Sequence, residues 1–281
     1  MYIKEALELA SNELKKSSTP SLDARLLLGF AINMTHEQLL LNYNKPLSKA
    51  EQNIFLQLVS RRQAMEPIAY ILGKQEFYGL DFVVNENVLI PRPDTELLID
   101  VMLDDYKKNF RNKEVSILEL GSGSGAISIT LAKEISSAKI TALDISEKAL
   151  EVSRQNAEIY NVSNKIEFIQ SNWYGALETN YYDYIISNPP YISFQEQDEM
   201  SEETILFEPE IALYAQDDGL CDYKIIIAAA HQYLKPKGKL LLEMGYTQKD
   251  SLSYVLKQNN FNTLNVYNDL SDHARVIVAE F

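Results

Sequence analysis

Val115-Ser116-Ile117-Leu118-Glu119-Leu120-Gly121-Ser122-Gly123-Ser124-Gly125-Ala126 is the stretch on which the fold turns. A short apolar strand runs into a glycine-rich loop and then into a helix. Glycine lets the backbone turn sharply and lets it approach a ligand closely. From this point strands and helices alternate. Strands are predicted near 115–120, 138–144, 165–170, 182–187, 238–244, 261–267 and 274–280. Helices are predicted near 124–135, 146–160, 222–234 and 248–259. That rhythm predicts an α/β doubly wound sheet. The last two strands are separated only by residues 268–273, too few for a parallel crossover, so this pair is expected to be antiparallel.

The second strand ends Ala142-Leu143-Asp144. In a doubly wound sheet an acid there stands beside the first loop and can accept from both ribose hydroxyls of a nucleotide. A tight turn followed by an ordinary surface acid is the plainer reading. Gly121-x-Gly123-x-x-Ala126 also satisfies the dinucleotide fingerprint, so NAD(P) competes with S-adenosylmethionine, which class I methyltransferases bind with the same geometry.

The fourth strand, Tyr184-Ile185-Ile186-Ser187, separates the two, because it ends in Asn188-Pro189-Pro190-Tyr191. The prolines fix φ and remove two N–H donors. Such a corner can hold a planar –NH₂ group. The Asn188 oxygen accepts one N–H, the Pro189 carbonyl accepts the other, and Tyr191 covers the face. A strand-terminating turn is the alternative. An amide clamp has no role in hydride transfer but an evident one in N-methylation. An amide nitrogen is a poor nucleophile, and no His, Cys or Lys adjoins the motif to act as a base. Orientation is then the available device, and well-oriented proximity can contribute ~7–11 kcal/mol. Tyr191 would also lie near the cationic sulfur of the methyl donor, and the proton can leave to water.

The N-terminal part differs. Ile3, Ala6, Leu7, Ala10 and Leu14 share one helical face, and Ser21 can cap a helix over 22–32. Thr35-His36-Glu37-Gln38 and Ser48-Lys49-Ala50-Glu51 fit the capping-box pattern. Pro67 can open a last short helix that Gly73 ends. The predicted organisation is a helical domain over 1–75, a hairpin linker over 76–92 and an α/β domain over 93–281. Pro91-Arg92-Pro93-Asp94-Thr95-Glu96 opens a helix reaching about 110.

Net charge is −14, carried by the α/β part. Residues 1–75 hold nine basic and seven acidic side chains; residues 76–281 hold seventeen and thirty-three. A surface that displaces counterions from nucleic acid needs the opposite sign, so no direct nucleic-acid contact is expected, and a basic protein partner or small ligand fits better. Seven acids fall between Glu196 and Glu210. They read as a solvated face or as a docking segment for basic protein surface, with Glu202 and Glu203 as the test positions. The single cysteine, Cys221, excludes internal disulfides, and no Cys/His cluster suggests a metal. No apolar run approaches a membrane span and the first residues do not read as a signal peptide, so a cytoplasmic protein is expected.

Together these residues resemble the bacterial release factor glutamine methyltransferases, within the class I S-adenosylmethionine-dependent group. The resemblance covers essentially the whole chain. It is carried by Tyr70-Ile71-Leu72-Gly73, Glu76-Phe77-Tyr78-Gly79-Leu80, Leu89 through Glu96, Leu118 through Ala126, Ser187 through Tyr191 and Phe207 through Leu213. It implies a Rossmann-like doubly wound sheet with a small N-terminal helical bundle, and S-adenosylmethionine as methyl donor. The implied acceptor is the Gln of the Gly-Gly-Gln loop in peptide chain release factors 1 and 2. Gly121, Ser122, Gly123, Ser124, Gly125 and Asp144 would contact the cofactor. Asn172 and Trp173 would lie at the adenine, and Asn188 near both reactants. The resemblance turns Glu119 toward the methionine amino group; a plain strand-end acid is the other reading. Asn188, Pro189 and Tyr191 would be catalytic, and with Pro190 would hold the substrate Gln. Arg92 is a substrate contact or a structural anchor. Asn172 stands where the family usually has Asp, which removes a charge from the adenine end. The corner is shared with DNA adenine and ribosomal RNA guanine methyltransferases, so a nucleic-acid base methyltransferase is the alternative. A binding module without turnover would not need the corner.

Overall fold

The computed structural model describes residues 1–110, 113–178 and 181–280. The chain divides into two compact units, Met1–Lys74 with Met200–Phe207, and Gln75–Glu199 with Glu208–Phe281.

The first unit is helical: α1 (Ile3–Glu13), α2 (Pro20–Ile32), α3 (His36–Leu41), α4 (Lys49–Gln63) and α5 (Ile68–Leu72). Its core is Ile3, Ala6, Ala10, Leu27, Leu28, Phe55, Val59 and their neighbours. Both expected capping boxes form, with Thr35 accepting from the Gln38 N–H and Ser48 from the Glu51 N–H. The α2 cap differs from expectation. Thr19 is the N-cap and Pro20 opens the helix, because proline at the first helical position costs no hydrogen bond and presets φ. Gly73 closes α5 in the left-handed region, as its position suggested.

A buried ion pair sits in this unit. Arg62 Nε donates to Asp23 Oδ2 at 2.7 Å, with both side chains almost wholly buried. Arg62 also pairs with Glu203, which enters this unit from 141 residues away. Within the acidic segment Glu203, about a third exposed, thus shares the Arg62 cation with Asp23, whereas Glu202 is exposed.

The second unit begins with the hairpin β1 (Lys74–Phe77) and β2 (Leu80–Val83). There follow α6 (Glu96–Asn109), β3 (Val115–Leu120), α7 (Ala126–Glu134), β4 (Ala138–Asp144), α8 (Glu147–Ile159), β5 (Ile166–Gln170) and β6 (Tyr182–Ser187). Next come α9 (Glu202–Phe207, the segment counted with the helical unit), α10 (Gln216–Gly219) and α11 (Cys221–Ala230). The chain closes with β7 (Leu234–Glu243), α12 (Lys249–Gln258), β8 (Thr263–Asn268) and β9 (Ala274–Glu280). The seven-stranded sheet has the order β5-β4-β3-β6-β7-β9-β8. The first five strands in that order run parallel, and β9 is antiparallel to both β7 and β8.

Successive residues of the central strands enter opposite cores. Ile117, Tyr184 and Ile186 pack with Leu98, Met102, Ile129 and Leu131. Leu118, Leu120 and Ile185 pack with Tyr223, Ile227, Leu252 and Leu256. Both faces of the sheet are thus covered, which is why β6 is buried at every position.

Three element bounds differ from expectation. Helix α7 starts at Ala126 because Gly125 occupies the left-handed region as its cap. Helix α11 ends at Ala230, and β7 begins at Leu234, earlier than the apolar run. Lys235-Pro236-Lys237-Gly238-Lys239 lies within β7 as an irregularity opposite Tyr182 and Tyr184, with Lys237 at φ +67°. Pro93–Thr95 forms a tight 3₁₀ turn before α6. Among the described residues no helix is long and apolar enough to cross a membrane.

Candidate active site

Strands β4, β3 and β6 are parallel neighbours, so their C-terminal ends open on one edge. The chain leaves β3 through α7 to β4 on one side, while β6 lies on the other. Ligands of open α/β sheets bind where the strand order reverses in this way. A cavity of about 470 Å³ opens here, lined from both sides of the reversal by Glu119, residues 121–124, Asp144, Asn172, Trp173, Asn188 and Pro190, among others.

The glycine loop is held by backbone bonds. The N–H groups of Gly121 and Ser122 donate to the Leu143 carbonyl at 2.8 and 2.9 Å. The Gly123 N–H donates to Asp144 Oδ2 at 2.8 Å, and Ser146 N–H to Asp144 Oδ1 at 2.9 Å. Burial pushes the Asp144 carboxyl up, against these two N–H groups. Gly125 does not line the cavity. Its φ is +79°, and a Cβ there would stand 2.9 Å from Ile129 Cδ1 and 3.2 Å from Ser153 Cβ. Close packing of helix on helix demands this glycine.

Glu119 is 1% exposed. Its Oε2 accepts from the Ser128 N–H at 3.1 Å and from the Ser128 hydroxyl. Its Oε1 has no hydrogen-bond partner among the described residues, nor has the buried hydroxyl of Ser122. Burial pushes the Glu119 carboxyl up to about 8. The two sequence readings of Glu119 meet here: one oxygen is a structural anchor, and the residue lines the cavity.

Asn172 and Trp173 both line the cavity. Trp173 has φ +48° and its carbonyl accepts from Ser171 Oγ at 2.6 Å. Its indole N–H donates to Asp222, another lining residue, whose carboxyl is pushed up by burial against that bond. Arg92 lines the opposite part and pairs with Glu208, a buried acid that also accepts from the Ile90 N–H at 3.1 Å.

Within the corner, Asn188 and Pro190 line the cavity and Pro189 and Tyr191 do not. Asn188 Nδ2 donates to Thr95 Oγ1 at 3.1 Å. Ser187 Oγ donates to the Leu120 carbonyl at 2.7 Å, tying the ends of β6 and β3 together. The Tyr191 hydroxyl donates to Glu243 Oε1 at 3.3 Å. Sequence reasoning missed Thr95, Glu208, Asp222 and Glu243. A signal existed for Glu243, since Leu240-Leu241-Leu242-Glu243 ends an apolar strand in an acid just as Glu119 and Asp144 stand at the ends of β3 and β4. Among the described residues no group of three or more His, Cys, Asp or Glu side chains could hold a metal ion.

Comparison with known proteins adds to this geometry. Residues 5–73 match the PrmC N-terminal domain and residues 93–217 the methyltransferase small domain. A bifunctional methyltransferase of Rickettsia conorii is 42% identical over 98% of this chain and 57% of its own. The chain therefore spans little more than half the length of such relatives. A release factor glutamine methyltransferase of Buchnera aphidicola subsp. Schizaphis graminum is 38% identical over 98% of each chain. A solved methyltransferase of Pyrococcus furiosus aligns with a TM-score of 0.52 at 16% identity, covering 80% of this chain and 96% of that one. At that identity the likeness speaks for the fold alone. With full-length relatives this similar, the chain belongs to the release factor glutamine methyltransferase family.

Proposed function

We propose that this protein transfers a methyl group from S-adenosylmethionine to the side-chain amide nitrogen of a glutamine, and that the glutamine is that of the Gly-Gly-Gln loop in peptide chain release factors 1 and 2. One observation carries the reading: the glycine loop, Asp144 and the Asn188 end of the corner line a single cavity at the point where the strand order reverses. Family membership supports a release-factor glutamine as the acceptor, since relatives of this length bear the release factor glutamine methyltransferase name.

The residues present suit the methyl donor. The unpartnered Oε1 of Glu119 and the unpartnered hydroxyl of Ser122 belong to residues that line the cavity, where an ammonium and a carboxylate would satisfy them. Asp144 would take the ribose hydroxyls, Asn172 and Trp173 the adenine, and residues 121–124 the backbone-facing side. S-adenosylmethionine supplies a methyl on a cationic sulfur, already activated for transfer. The chain's own residues supply orientation. Asn188 Oδ1, at the cavity wall, accepts one N–H of the glutamine, which turns the nitrogen lone pair toward the methyl; Pro189, outside the lining, fixes the backbone on which Asn188 stands. Tyr191, partly buried beside the corner, stiffens it from outside the cavity. The proton leaves to water after transfer.

The test is a labelled-methyl assay of the purified protein against release factor and nucleic acid side by side. Label on the release factor is expected. Preferential label on DNA or RNA would instead support a nucleic-acid base methyltransferase, since the corner could hold an exocyclic amine. Binding of S-adenosylmethionine without transfer to either would support a binding module.

A further inference from the structure

Two carbonyls of the glycine loop are taken up by one face of α8. Ser153 Oγ donates to the Gly123 carbonyl at 2.8 Å, and Asn156 Nδ2 donates to the Ser124 carbonyl at 2.9 Å. Both side chains are wholly buried. Three residues apart on a helix, they share a face. Helix α8 thus grips the loop from behind, while Gly123 and Ser124 line the cavity in front.

Asn156 makes a second connection. Its Oδ1 accepts from the Val83 N–H at 2.8 Å, and its Nδ2 donates to the Val83 carbonyl at 3.0 Å, as a neighbouring strand would. One amide therefore joins the last residue of β2, 73 positions away, to the glycine loop, 32 positions away. Its orientation is set by its neighbours. Two carbonyls need a donor and one N–H needs an acceptor, so a flipped amide would fail all three.

Val83 does not line the cavity, but the chain that leaves it does, through Asn87, Val88, Leu89, Pro91 and Arg92. Farther on, the Ile90 N–H and Arg92 are both held by Glu208, and Thr95 Oγ1 accepts from Asn188 Nδ2 at 3.1 Å. The stretch from Val83 to Thr95 is thus a wall with two ends. Asn156 holds one end to the glycine loop, and Asn188 of the corner meets the other.

We propose that Asn156 is a positioning residue that couples the two halves of the site. A methyl donor seated on the loop fixes Ser124. Ser124 and Val83 share the Asn156 amide, so the wall that reaches the corner is fixed with them. Donor and acceptor then strengthen each other's binding, by the same factor in either order. This inference rests on the proposed methyl-transfer reading and adds a connection between its two ligands.

The experiment uses the full chain with S-adenosylhomocysteine, which fills the donor site and has no methyl to transfer. Calorimetry measures its affinity with and without saturating release factor. In the wild type, release factor is expected to tighten it about fivefold or more. Ser153→Ala removes one bond on the loop side only. It is expected to weaken S-adenosylhomocysteine roughly two- to tenfold, with the tightening by release factor retained. Asn156→Asp keeps the shape, but a carboxylate donates to neither carbonyl. It is expected to lose the tightening, leaving less than about a twofold effect. Hydrogen exchange on the wild type depends on no variant folding. The Val83 N–H, outside the cavity lining, is expected to exchange several-fold more slowly with S-adenosylhomocysteine bound. A bond that served only to hold the core together would give the same Val83 exchange with and without ligand. Absence of tightening in a wild type that labels glutamine, full tightening in Asn156→Asp, its loss in Ser153→Ala, or a Val83 N–H indifferent to the ligand would each overturn the inference. Failure of the underlying reading looks different: the wild type itself would then label no glutamine.

Discussion

The two halves of the cavity each have a fully buried acid at the C-terminal end of a strand, yet the acids are built for different work. Glu119, on the glycine-loop side, is anchored through one oxygen to Ser128 of α7 and keeps the other unpartnered. Glu243, on the corner side, is engaged through Oε1 by the Tyr191 hydroxyl and does not line the cavity. Burial lifts both, to about 8 and about 7. The difference is one of place: each acid keeps one oxygen without a hydrogen-bond partner among the described residues, but Glu119 lines the cavity where a ligand can reach it and Glu243 does not. Affinity for the methyl donor should therefore depend on the first half and turnover on the second.

The largest expected effect tests the corner. Asn188→Ala should lower kcat by ~10²–10³, the scale seen when one preorganised hydrogen-bonding group is removed from a reacting centre, with the circular dichroism spectrum unchanged. Undiminished transfer in that variant sinks the clamp. Asp144→Ala should act on the other half. Loss of a charge-assisted hydrogen bond costs about 1.5–3 kcal/mol, so calorimetry should show S-adenosylmethionine affinity reduced roughly ten- to a hundredfold. An unchanged dissociation constant would break the division between the halves.

Stability against pH sharpens the comparison of the acids. A carboxyl raised in the folded state binds its proton more tightly there than in the unfolded chain. The stability that proton contributes is fully present below the unfolded value of about 4.3 and is lost as pH rises through the folded value. Glu119→Gln removes a group that must ionise at a cost, so its stability relative to wild type should climb from about pH 5 and level off above about 8, by on the order of 5 kcal/mol. Glu243→Gln should level off nearer 7. Denaturation curves across this range decide it; a pH-independent difference would show that neither acid is raised. The smallest effect lies away from both halves. Glu202 is exposed, so Glu202→Lys should change stability by no more than about 0.5 kcal/mol. If the acidic segment steers release factor, the same variant should slow association at low salt; an unchanged rate removes that idea.

What could be read in the sequence was what is local. The glycine loop, the acid ending β4 and the corner ending β6 each announce themselves within a few residues, and the alternation of strands and helices brings them to one edge. The antiparallel arrangement of β8 and β9 followed from loop length alone. What escaped was pairing over distance. Thr95 reads as a helix-opening threonine until β6 places Asn188 beside it, 93 residues on. Glu208 joins Arg92 across 116 residues, and Glu203 reaches Arg62 across 141. Charge counting treats these acids as a solvated run, because composition carries no information on which carboxylates meet a cation inside the fold. The Ser21 cap failed for a local reason: Pro20 is a better first helical residue than a residue preceding the helix.

The most direct measurement is the position of the transferred methyl. Release factor carrying Gly-Gly-Gln and a variant carrying Gly-Gly-Ala should be incubated with the protein and S-adenosylmethionine, then mapped by tandem mass spectrometry. The account predicts one added methyl on the glutamine side-chain amide and none on the alanine variant. Equal methylation of both, or methyl found only on nucleic acid, would contradict it.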